Sequence, residues 1–396
     1  MAMTFFQKAL LAFGVLALTN VFLSSRSSSD SPTVAALPSP TRDRWIVITT
    51  IQAPTAQVRF LCALPNWTTV IVADYKTPWK PWQEDKSHGC AHFLSVQDQV
   101  SLGYSIVAHL PLNNYGRKNV GYLFAIQHGA REIYETDDDN QPSGAGVAML
   151  PLGEEPFARV ADPALRVQNP YAFFGRPDIW PRGYPLNKVN ASRAPRVAKA
   201  DVLCPQKEYP IQQGIVDLDP DVDAIFRMTQ APSVGKVKFR TDRGPLALGK
   251  GTYCPYNTQN TLSRYKAFWG LLVPVTTTMR VCDIWRSYWV QRVLWDIGEE
   301  LLFLPATAEQ VRNPHDFHKD FLEELDLYVK AGDLISTLDS WDPPSDADLF
   351  GRLQHLGRLL AERGFWGEAD ARLMEAWLAD LVGVGYIPPR LVGPCE

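Results

Sequence analysis

The stretch IYETDDDN, residues 133–140, ends a short apolar run with three consecutive aspartates. Neighbouring carboxylates repel one another and are costly to bury, so such a cluster is either a solvated turn or a cation site. Asn140 and Pro142, which follow, would also suit a surface turn. We favour the cation site because the cluster comes directly after a predicted strand at 132–134.

The pattern around this stretch predicts an α/β fold. β-rich apolar runs alternate with segments of helical spacing, which indicates a parallel sheet with covering helices. Such sheets bind ligands at the carboxyl ends of their strands, where Asp74 and the aspartate cluster both lie. The predicted strands are 45–51, 69–74 and 132–134 with a short apolar run at 92–96, and the predicted helices are 55–64, 97–104 and 115–128.

The rest of the chain divides by composition. Residues 150–260 are rich in Pro, Gly, Asn and aromatic residues and predict loops and short strands. Apolar stripes at helical spacing on both sides of Gly364 predict a helical region. We therefore expect a nucleotide-binding half at 44–150, an acceptor-side half at 151–315 and a helical region at 316–396.

The N-terminus predicts a membrane or export signal. Residues 3–23 are largely apolar but short for a bilayer span, so an uncleaved signal anchor at 1–25 and a cleaved signal peptide both remain open. We favour the anchor because residues 26–43 have the composition of a flexible stem. Sequons at Asn66 and Asn190 and an even count of 6 cysteines are compatible with a secretory lumen, without indicating which cysteines pair.

Charge excludes one class of partner. The formal net charge of −4 and the lack of a basic block argue against nucleic-acid binding. The aspartates indicate a cation instead. In extended geometry Asp137 and Asp139 point to the same face and can hold Mg²⁺ or Mn²⁺, which bridges the phosphates of a nucleotide, while Asp138 points the other way.

A predicted helix N-terminus supplies a possible anion site. In NNYGRKNVGYLFAIQHGA, residues 113–130, Asn113 or Asn114 lies near the cap and Arg117 and Lys118 lie in the first turns. Cations there oppose the helix dipole, so we expect a nucleotide diphosphate to offset them, although exposed and solvated charges are the alternative.

Further candidates lie beyond residue 280. Asp283 is either a helix N-cap or a general base that takes the proton of an acceptor hydroxyl, and Arg286, one turn later, would hold that carboxylate or the diphosphate. His315 and His318 lie at helical spacing and either add a metal ligand or occupy a helix surface.

These motifs together resemble the STELLO family of Golgi glycosyltransferase-like proteins. The likeness covers about residues 44–390 in unbroken motif order, and the same order is weakly similar to UDP-arabinopyranose mutases, the reversibly glycosylated polypeptides. The motifs are VADYKTPW, NNYGRKNVGYLFAIQHGA, IYETDDDN, NPYAFFGRPDIWPRGYPL, IQQGIVDLDPDVDAIFRMT, YCPYNTQNTL, RVCDIWRSYWVQR and RGFWGEADARLMEAWLADLVGVGYIPP.

The resemblance implies a GT-A nucleotide-sugar fold in a type II Golgi membrane protein linked, in plants, to cellulose synthase assembly. This chain is much shorter than plant STELLO proteins and has a minimal N-terminus before its apolar segment, which puts the plant partner in doubt.

Position by position, the resemblance assigns the aspartates to a metal and a diphosphate. It implies that Arg182 matches the arginine that the mutases glycosylate. The alternative for Arg182 is an ion pair with a nearby carboxylate such as Asp178. The residues assigned to the nucleotide sugar are Thr49, Asp74, Lys76, Arg117, Lys118 and Asp138, those assigned to a metal are Asp137, Asp139 and His315, and those assigned to catalysis are Asp283, Arg182 and Arg286.

The leading functional hypothesis is a lumenal, metal-dependent transfer of a sugar from a nucleoside diphosphate sugar to a glycan acceptor. One alternative is a catalytically silent scaffold that assists a polysaccharide-synthesising complex. The other is a mutase or self-glycosylating protein that uses Arg182.

Overall fold

The computed structural model describes residues 43–84, 86–144, 146–160, 166–191, 197–198, 207–312 and 315–392. The predicted signal anchor at 1–25, and all but the last residue of the predicted stem, lie outside these ranges. In the described part of the chain, no helix combines the length and the apolar character that crossing a bilayer requires.

One mixed sheet organises the described residues. Its eleven strands run in the order β3-β2-β1-β4-β10-β8-β11-β9-β6-β7, and β5 pairs with β11 beside this path. The strands are β1 (Arg44–Thr50), β2 (Thr68–Ala73), β3 (His92–Leu94), β4 (Glu132–Thr136), β5 (Asn140–Pro142), β6 (Ala158–Val160), β7 (Val197–Ala198), β8 (Ile211–Leu218), β9 (Leu246–Leu248), β10 (Asn260–Arg264) and β11 (Leu301–Gln310).

Helices accompany the sheet and dominate the C-terminal part. A 3₁₀ turn at Tyr115–Arg117 leads into α4, so the predicted helix at 115–128 is confirmed with a tighter first turn. The helices are α1 (Ala56–Cys62), α2 (Trp79–Gln83), α3 (Val96–Ser101), α4 (Lys118–Gln127), α5 (Pro170–Phe173), α6 (Ala224–Thr229), α7 (Ala231–Val234), α8 (Cys282–Leu294), α9 (Phe317–Glu323), α10 (Leu325–Ser340), α11 (Leu349–Glu362) and α12 (Glu368–Gly383).

The first four paired strands confirm the predicted parallel sheet. β2 is buried along its whole length, as expected of a strand that helices cover on both faces. Gly121 allows α4 to lie against this sheet, because a Cβ there would approach side-chain atoms of Val47 and Val72 at 2.6 Å. The strand–helix alternation thus forms where the sequence predicts it.

Strand direction brings many strand ends to one edge. β1, β2, β3 and β4 are mutually parallel, and the antiparallel β10 separates β4 from β8, which therefore points the same way as β4. β11 is parallel to β8. The carboxyl ends of these strands, and the beginning of β10, consequently meet at a single edge of the sheet.

The prediction of loops and short strands for residues 150–260 did not locate two central strands, β8 within this range and β10 at its end. β8 and β10 lie side by side in the middle of the sheet and are almost entirely buried. Their sequences, IQQGIVDL and NTLSR, carry amide side chains that are usually exposed. Here those amides are satisfied: Gln212 exchanges hydrogen bonds with the backbone of Leu150, and the amide of Asn260 accepts from the hydroxyl of Tyr134 at 2.8 Å.

The predicted helical region is confirmed. α11 and α12 bury the predicted apolar stripes, and Trp377 is fully enclosed, with its indole Nε1 donating to the carbonyl of Trp269 at 3.0 Å. A Trp of this size ties the region to the rest of the core. The stripe residues, all buried, are Leu353, Leu356, Leu360, Leu373, Trp377 and Leu381.

One disulfide forms within the described residues. Cys62, at the end of α1, is bonded to Cys90, and this pair was one of several that the sequence left open. Cys254 and Cys282 are buried thiols, whereas Cys204 and Cys395 lie outside the described residues. The bond fastens α1 to the segment before β3.

Candidate functional site

A cavity of about 710 Å³ opens at the edge where the strand ends meet. Its volume lies within the range of ordinary ligand pockets. Thr49, Asp74 and the three aspartates 137–139 come from the ends of β1, β2 and β4. The opposite wall comes from the loop after α5, the loops after β8 and before β10, the start of α8, and the end of β11 with the segment that follows it. Its residues include Arg182, Asp221, Thr258, Arg280, Asp283, Gln310, Arg312 and His315.

Asp137 is the aspartate most tightly held by neighbouring donors. Its Oδ1 accepts a hydrogen bond from the Tyr115 hydroxyl at 2.8 Å and lies 3.7 Å from Nζ of Lys118. Burial, with the charges of Asp139 and Asp283, raises the pKa of Asp137 to about 6 although Lys118 and Tyr115 act to lower it. Since its side chain is still 36% exposed, a ligand in the cavity can reach this carboxylate.

Asp138 and Asp139 contact different partners, but they lie in a turn after β4 and not in the extended geometry that the sequence predicts. Asp138 accepts from the Thr50 hydroxyl at 2.5 Å, whereas Asp139 accepts from Nε2 of Gln310 at 3.0 Å. Burial is the main cause that raises the pKa of each carboxyl. All three carboxylates line the same cavity, and together Asp137, Asp138 and Asp139 form an aspartate ledge on its wall.

The donor set fits a hard divalent cation only in part. Among the described residues, no three His, Cys, Asp or Glu side chains converge as a complete metal cage. Mg²⁺ is usually held by one or two carboxylates together with phosphate oxygens and water. Asp137 and Asp139 supply oxygens of that kind, so a cation here would need a phosphate ligand to complete its coordination.

A carboxylate of the protein holds the loop before the predicted helix N-terminus, and the binding of a diphosphate there stays a prediction. The carboxylate of Asp74 accepts from the backbone N–H groups of Asn113 at 2.8 Å and Asn114 at 2.9 Å. The Asn114 side chain caps the 3₁₀ turn by accepting from the N–H of Gly116. Asp74 thus fixes this loop, while Lys76, two residues later, is exposed and lines the cavity.

Arg117 and Lys118 are not the free cations that the sequence predicts. Arg117 is buried and donates through Nε and Nη2 to Oε1 of Gln99 at 2.9 and 2.6 Å. Lys118 is fully buried and donates to the Tyr115 hydroxyl and to the carbonyl of Thr136. Burial lowers the pKa of both side chains. Lys118 therefore positions Asp137 and Tyr115.

Asp283 lies in the first turn of α8 and is not its N-cap. The N-cap is Val281, which offers no side-chain hydrogen bond, so the capping alternative is wrong. The Asp283 carboxylate accepts from Arg182 at 3.1 and 3.2 Å and from the backbone N–H of Thr258 at 3.3 Å. It is buried at the wall of the cavity.

Arg182 pairs with different carboxylates from the one predicted. Its Nε lies 2.9 Å from Oδ1 of Asp221, and its two Nη atoms reach Asp283. Asp178, the predicted partner, is instead held by Arg176. Burial acts to lower the pKa of Arg182, but the charges of Asp221 and Asp283 raise it well above its usual range, so Arg182 stays cationic.

Arg286 does not contact Asp283 and does not line the cavity. Its guanidinium makes a bidentate pair with Glu135, at 2.7 and 3.0 Å, in the core of the protein. The prediction that Arg286 holds the Asp283 carboxylate or the diphosphate is wrong, because its guanidinium is buried against Glu135 of β4. Its role is to neutralise a buried carboxylate.

The histidines reach the rim of the site. His315 lines the cavity, and its Nδ1 lies 3.1 Å from Asp320, while His318 is largely exposed and lies near Asp316. Burial, followed by the charge of Arg312, lowers the pKa of His315. The carboxylate nearest to His315 is thus Asp320, which is not one of the three aspartates on the ledge.

Sequence reasoning missed several residues that complete the site. Tyr115 connects the two acidic groups, because its hydroxyl contacts both Asp137 and, at 2.6 Å, the hydroxyl of Thr258, which neighbours Asp283. Asp221 and Gln310 were also missed. Asp221 follows β8, a strand that was not predicted from the sequence. Had β8 been predicted, the tendency of ligand-binding residues to follow the carboxyl ends of strands would have indicated Asp221.

The fold and the cavity define a class: a mixed α/β protein whose ligand cavity lies at the carboxyl ends of its strands. The family model described as STELLO glycosyltransferases matches residues 280–395. The probable glycosyltransferases STELLO1 and STELLO2 of Arabidopsis thaliana are 35% and 34% identical over 362 residues, which is 88% of this chain. The chain belongs to the STELLO family. The chain spans about half the length of these relatives, 46% of each one.

Proposed function

We propose that this protein is a glycosyltransferase that moves a sugar from a nucleoside diphosphate sugar, UDP- or GDP-linked, to a glycan acceptor. The observation that carries the proposal is the cavity at the strand ends, with the aspartate ledge on one wall and Asp283 with Arg182 on the other. The names of the STELLO relatives, both described as probable glycosyltransferases, support the same reaction class.

The donor would lie along the β1, β2 and β4 side. Asp137 and Asp139 would hold Mn²⁺ or Mg²⁺, which neutralises the charge that builds up on a leaving diphosphate. Tyr115 and Lys118 keep Asp137 in place. Thr49 and Lys76, at the ends of β1 and β2, would border the nucleoside, and Asp74 keeps their neighbouring loop fixed.

The acceptor would lie beside Asp283. In an inverting reaction, the acceptor hydroxyl attacks the anomeric carbon, its proton passes to an Oδ of Asp283, and the bond from that carbon to the diphosphate breaks. Each carboxylate oxygen has lone pairs beyond those that Arg182 uses. Arg182 fixes the orientation of Asp283 and is itself held by Asp221.

The GT-A class, the Golgi location and the type II topology belong to the same proposal. The disulfide between Cys62 and Cys90 supports an oxidising compartment, where such bonds persist. Asn66, the first sequon, is exposed and would be open to glycosylation. Membrane attachment would come from residues 1–25.

A specific observation favours the scaffold alternative as a second candidate. Both carboxylate oxygens of Asp283, the proposed base, accept hydrogen bonds from Arg182, and Oδ2 also accepts from the backbone N–H of Thr258, so less of the carboxylate is open to an acceptor hydroxyl. Self-glycosylation gains no such support, because the guanidinium of Arg182 is buried and donates to Asp221, Asp283 and the carbonyl of Arg280.

A donor screen tests the proposal. The purified full-length chain is incubated with UDP- and GDP-sugars and acceptor glycans, with and without Mn²⁺, and nucleotide release is measured. We expect release that needs the cation and is abolished in an Asp137→Ala/Asp139→Ala variant. Full rescue of a deletion strain by that double variant would support the scaffold instead.

A further inference from the structure

Arg312 stands out among the cations of the cavity. It follows β11 by two residues, and both Gln310 and Arg312 line the cavity while Val311 between them is 68% exposed. Gln310 donates to Asp139 at 3.0 Å. The end of β11 therefore brings the Arg312 side chain to the cavity, beside the aspartate ledge.

Within the described residues, the Arg312 guanidinium has no hydrogen-bond partner, although the charges of Asp221 and Asp320 act on it. Its side chain is 11% exposed, and its Nε is buried without a hydrogen bond. The carboxylate paired with it, Asp320, lies 3.7 Å from Nη2, which is too far for a hydrogen bond. Asp320 also lies closer, at 3.1 Å, to His315.

The neighbouring arginines are satisfied by their own acids. Arg182 has Asp221 and Asp283, and Nε of Arg280 donates to Glu324 at 2.8 Å. Burial, followed by the charges of Arg280 and Arg227, lowers the pKa of Arg312 to about 10. A nearly buried guanidinium without hydrogen bonds is costly, and an incoming anion would remove that cost.

We propose that Arg312 binds an oxyanion group of the substrate. The guanidinium fork matches phosphate and carboxylate oxygens equally well, so the group is either a phosphate of the donor or the carboxylate of an acidic sugar in the acceptor. Lys319 also lines the cavity and would add to the attraction. The inference rests on the proposed function, because it names a contact within the same cavity.

The test measures anion binding without any cation. Calorimetry in EDTA follows inorganic pyrophosphate and, separately, glucuronate titrated into the full-length wild type, Arg312→Gln and Arg312→Lys. Arg358→Gln is the matched control, since Arg358 is 58% exposed on α11 and pairs with Glu375. We expect binding of one probe to weaken about 10- to 100-fold in Arg312→Gln, less in Arg312→Lys, and not in the control.

The two probes separate the two sources of the oxyanion. Loss of pyrophosphate binding assigns Arg312 to the donor, and loss of glucuronate binding assigns it to an acidic acceptor. Equal binding by wild type and Arg312→Gln, or no binding of either probe to the wild type, overturns the proposal. Because no sugar transfer is measured, these outcomes are independent of whether the donor screen succeeds. If Arg312→Gln does not fold, Arg312→Lys gives the result.

Discussion

Glu135 and Asp137 lie two residues apart and belong to two opposite kinds of charged region. Glu135 is fully buried, accepts from both Nη atoms of Arg286 and also accepts from the Tyr122 hydroxyl. Asp137 has one hydrogen bond and a distant lysine, faces the cavity and has a raised pKa. The first region, around Glu135, is closed; the second, around Asp137, is open.

The difference indicates which charges serve the fold and which serve a ligand. A buried carboxylate with a bidentate guanidinium and a hydroxyl has nothing left to offer another molecule. Carboxylates and guanidiniums that line a cavity and have hydrogen-bonding capacity left unused, such as Asp137 and Arg312, are still open to a ligand. The predictions below test this division.

The largest expected effect comes from removing the charge of Glu135 in the closed region. Glu135→Gln leaves the buried guanidinium of Arg286 without its counter-charge, and we expect the free energy of unfolding to fall by about 3–5 kcal/mol. Urea denaturation measures the change. Glu375→Gln, at an exposed pair with Arg358, should cost no more than about 1 kcal/mol. Equal losses of unfolding free energy in Glu135→Gln and Glu375→Gln would contradict the special role assigned to the closed region.

The next effect concerns Asp283 as the base. Asp283→Asn keeps the size of the side chain but cannot take a proton, so we expect the rate of sugar transfer to fall by about 100-fold or more. The donor KM should change little, because Asp283 lies on the acceptor wall. Initial rates at varied donor concentration give both quantities, and an unchanged kcat would rule out this role.

Tyr115→Phe should have an intermediate effect on the open region. The substitution removes the hydroxyl that holds Asp137 and accepts from Lys118, and we expect a loss of stability of about 1–2 kcal/mol. Cation affinity should also fall, since Asp137 loses its fixed orientation. Thermal unfolding with and without Mn²⁺ separates the two effects; unchanged Mn²⁺ stabilisation would show that Tyr115 has only a structural role.

The smallest expected effect is a pH dependence. The pKa of Asp137 is raised from its ordinary 3.8 to about 6, so the folded protein binds this proton more tightly than the unfolded chain does. The contribution of this group to stability is full below the ordinary pKa and is lost as pH rises through about 6. Cation binding needs the carboxylate, so stabilisation by Mn²⁺ should grow between about pH 5 and pH 7 and lose that dependence in Asp137→Asn.

Sequence patterns predicted the strands and helices whose burial shows in their own apolar spacing. β1, β2 and β4 carry continuous apolar runs, and the C-terminal helices carry apolar stripes, so both were found. β8 and β10 escaped because their amide side chains are satisfied by partners distant in sequence, such as Leu150 for Gln212, across 62 residues.

In the site, too, local features were predictable and contacts between residues distant in sequence were not. The aspartate ledge was predictable because the three residues follow a recognisable strand. The partners of Arg182, Arg286 and Arg312 were not, because helical or loop spacing does not specify which distant carboxylate meets a guanidinium: Arg286 meets Glu135 across 151 residues. Asp74 was assigned to the nucleotide by position, although its geometry makes it an anchor for the loop at Asn113.

The most direct test of the open region is calorimetry of UDP and GDP binding to the full-length chain. We predict that Mn²⁺ or Mg²⁺ strengthens nucleotide binding at least about tenfold and that Asp139→Ala loses this gain. Asp326→Ala, at an exposed pair with Lys330 on α10, should bind like the wild type. Equal nucleotide binding by the wild type and Asp139→Ala would contradict the account.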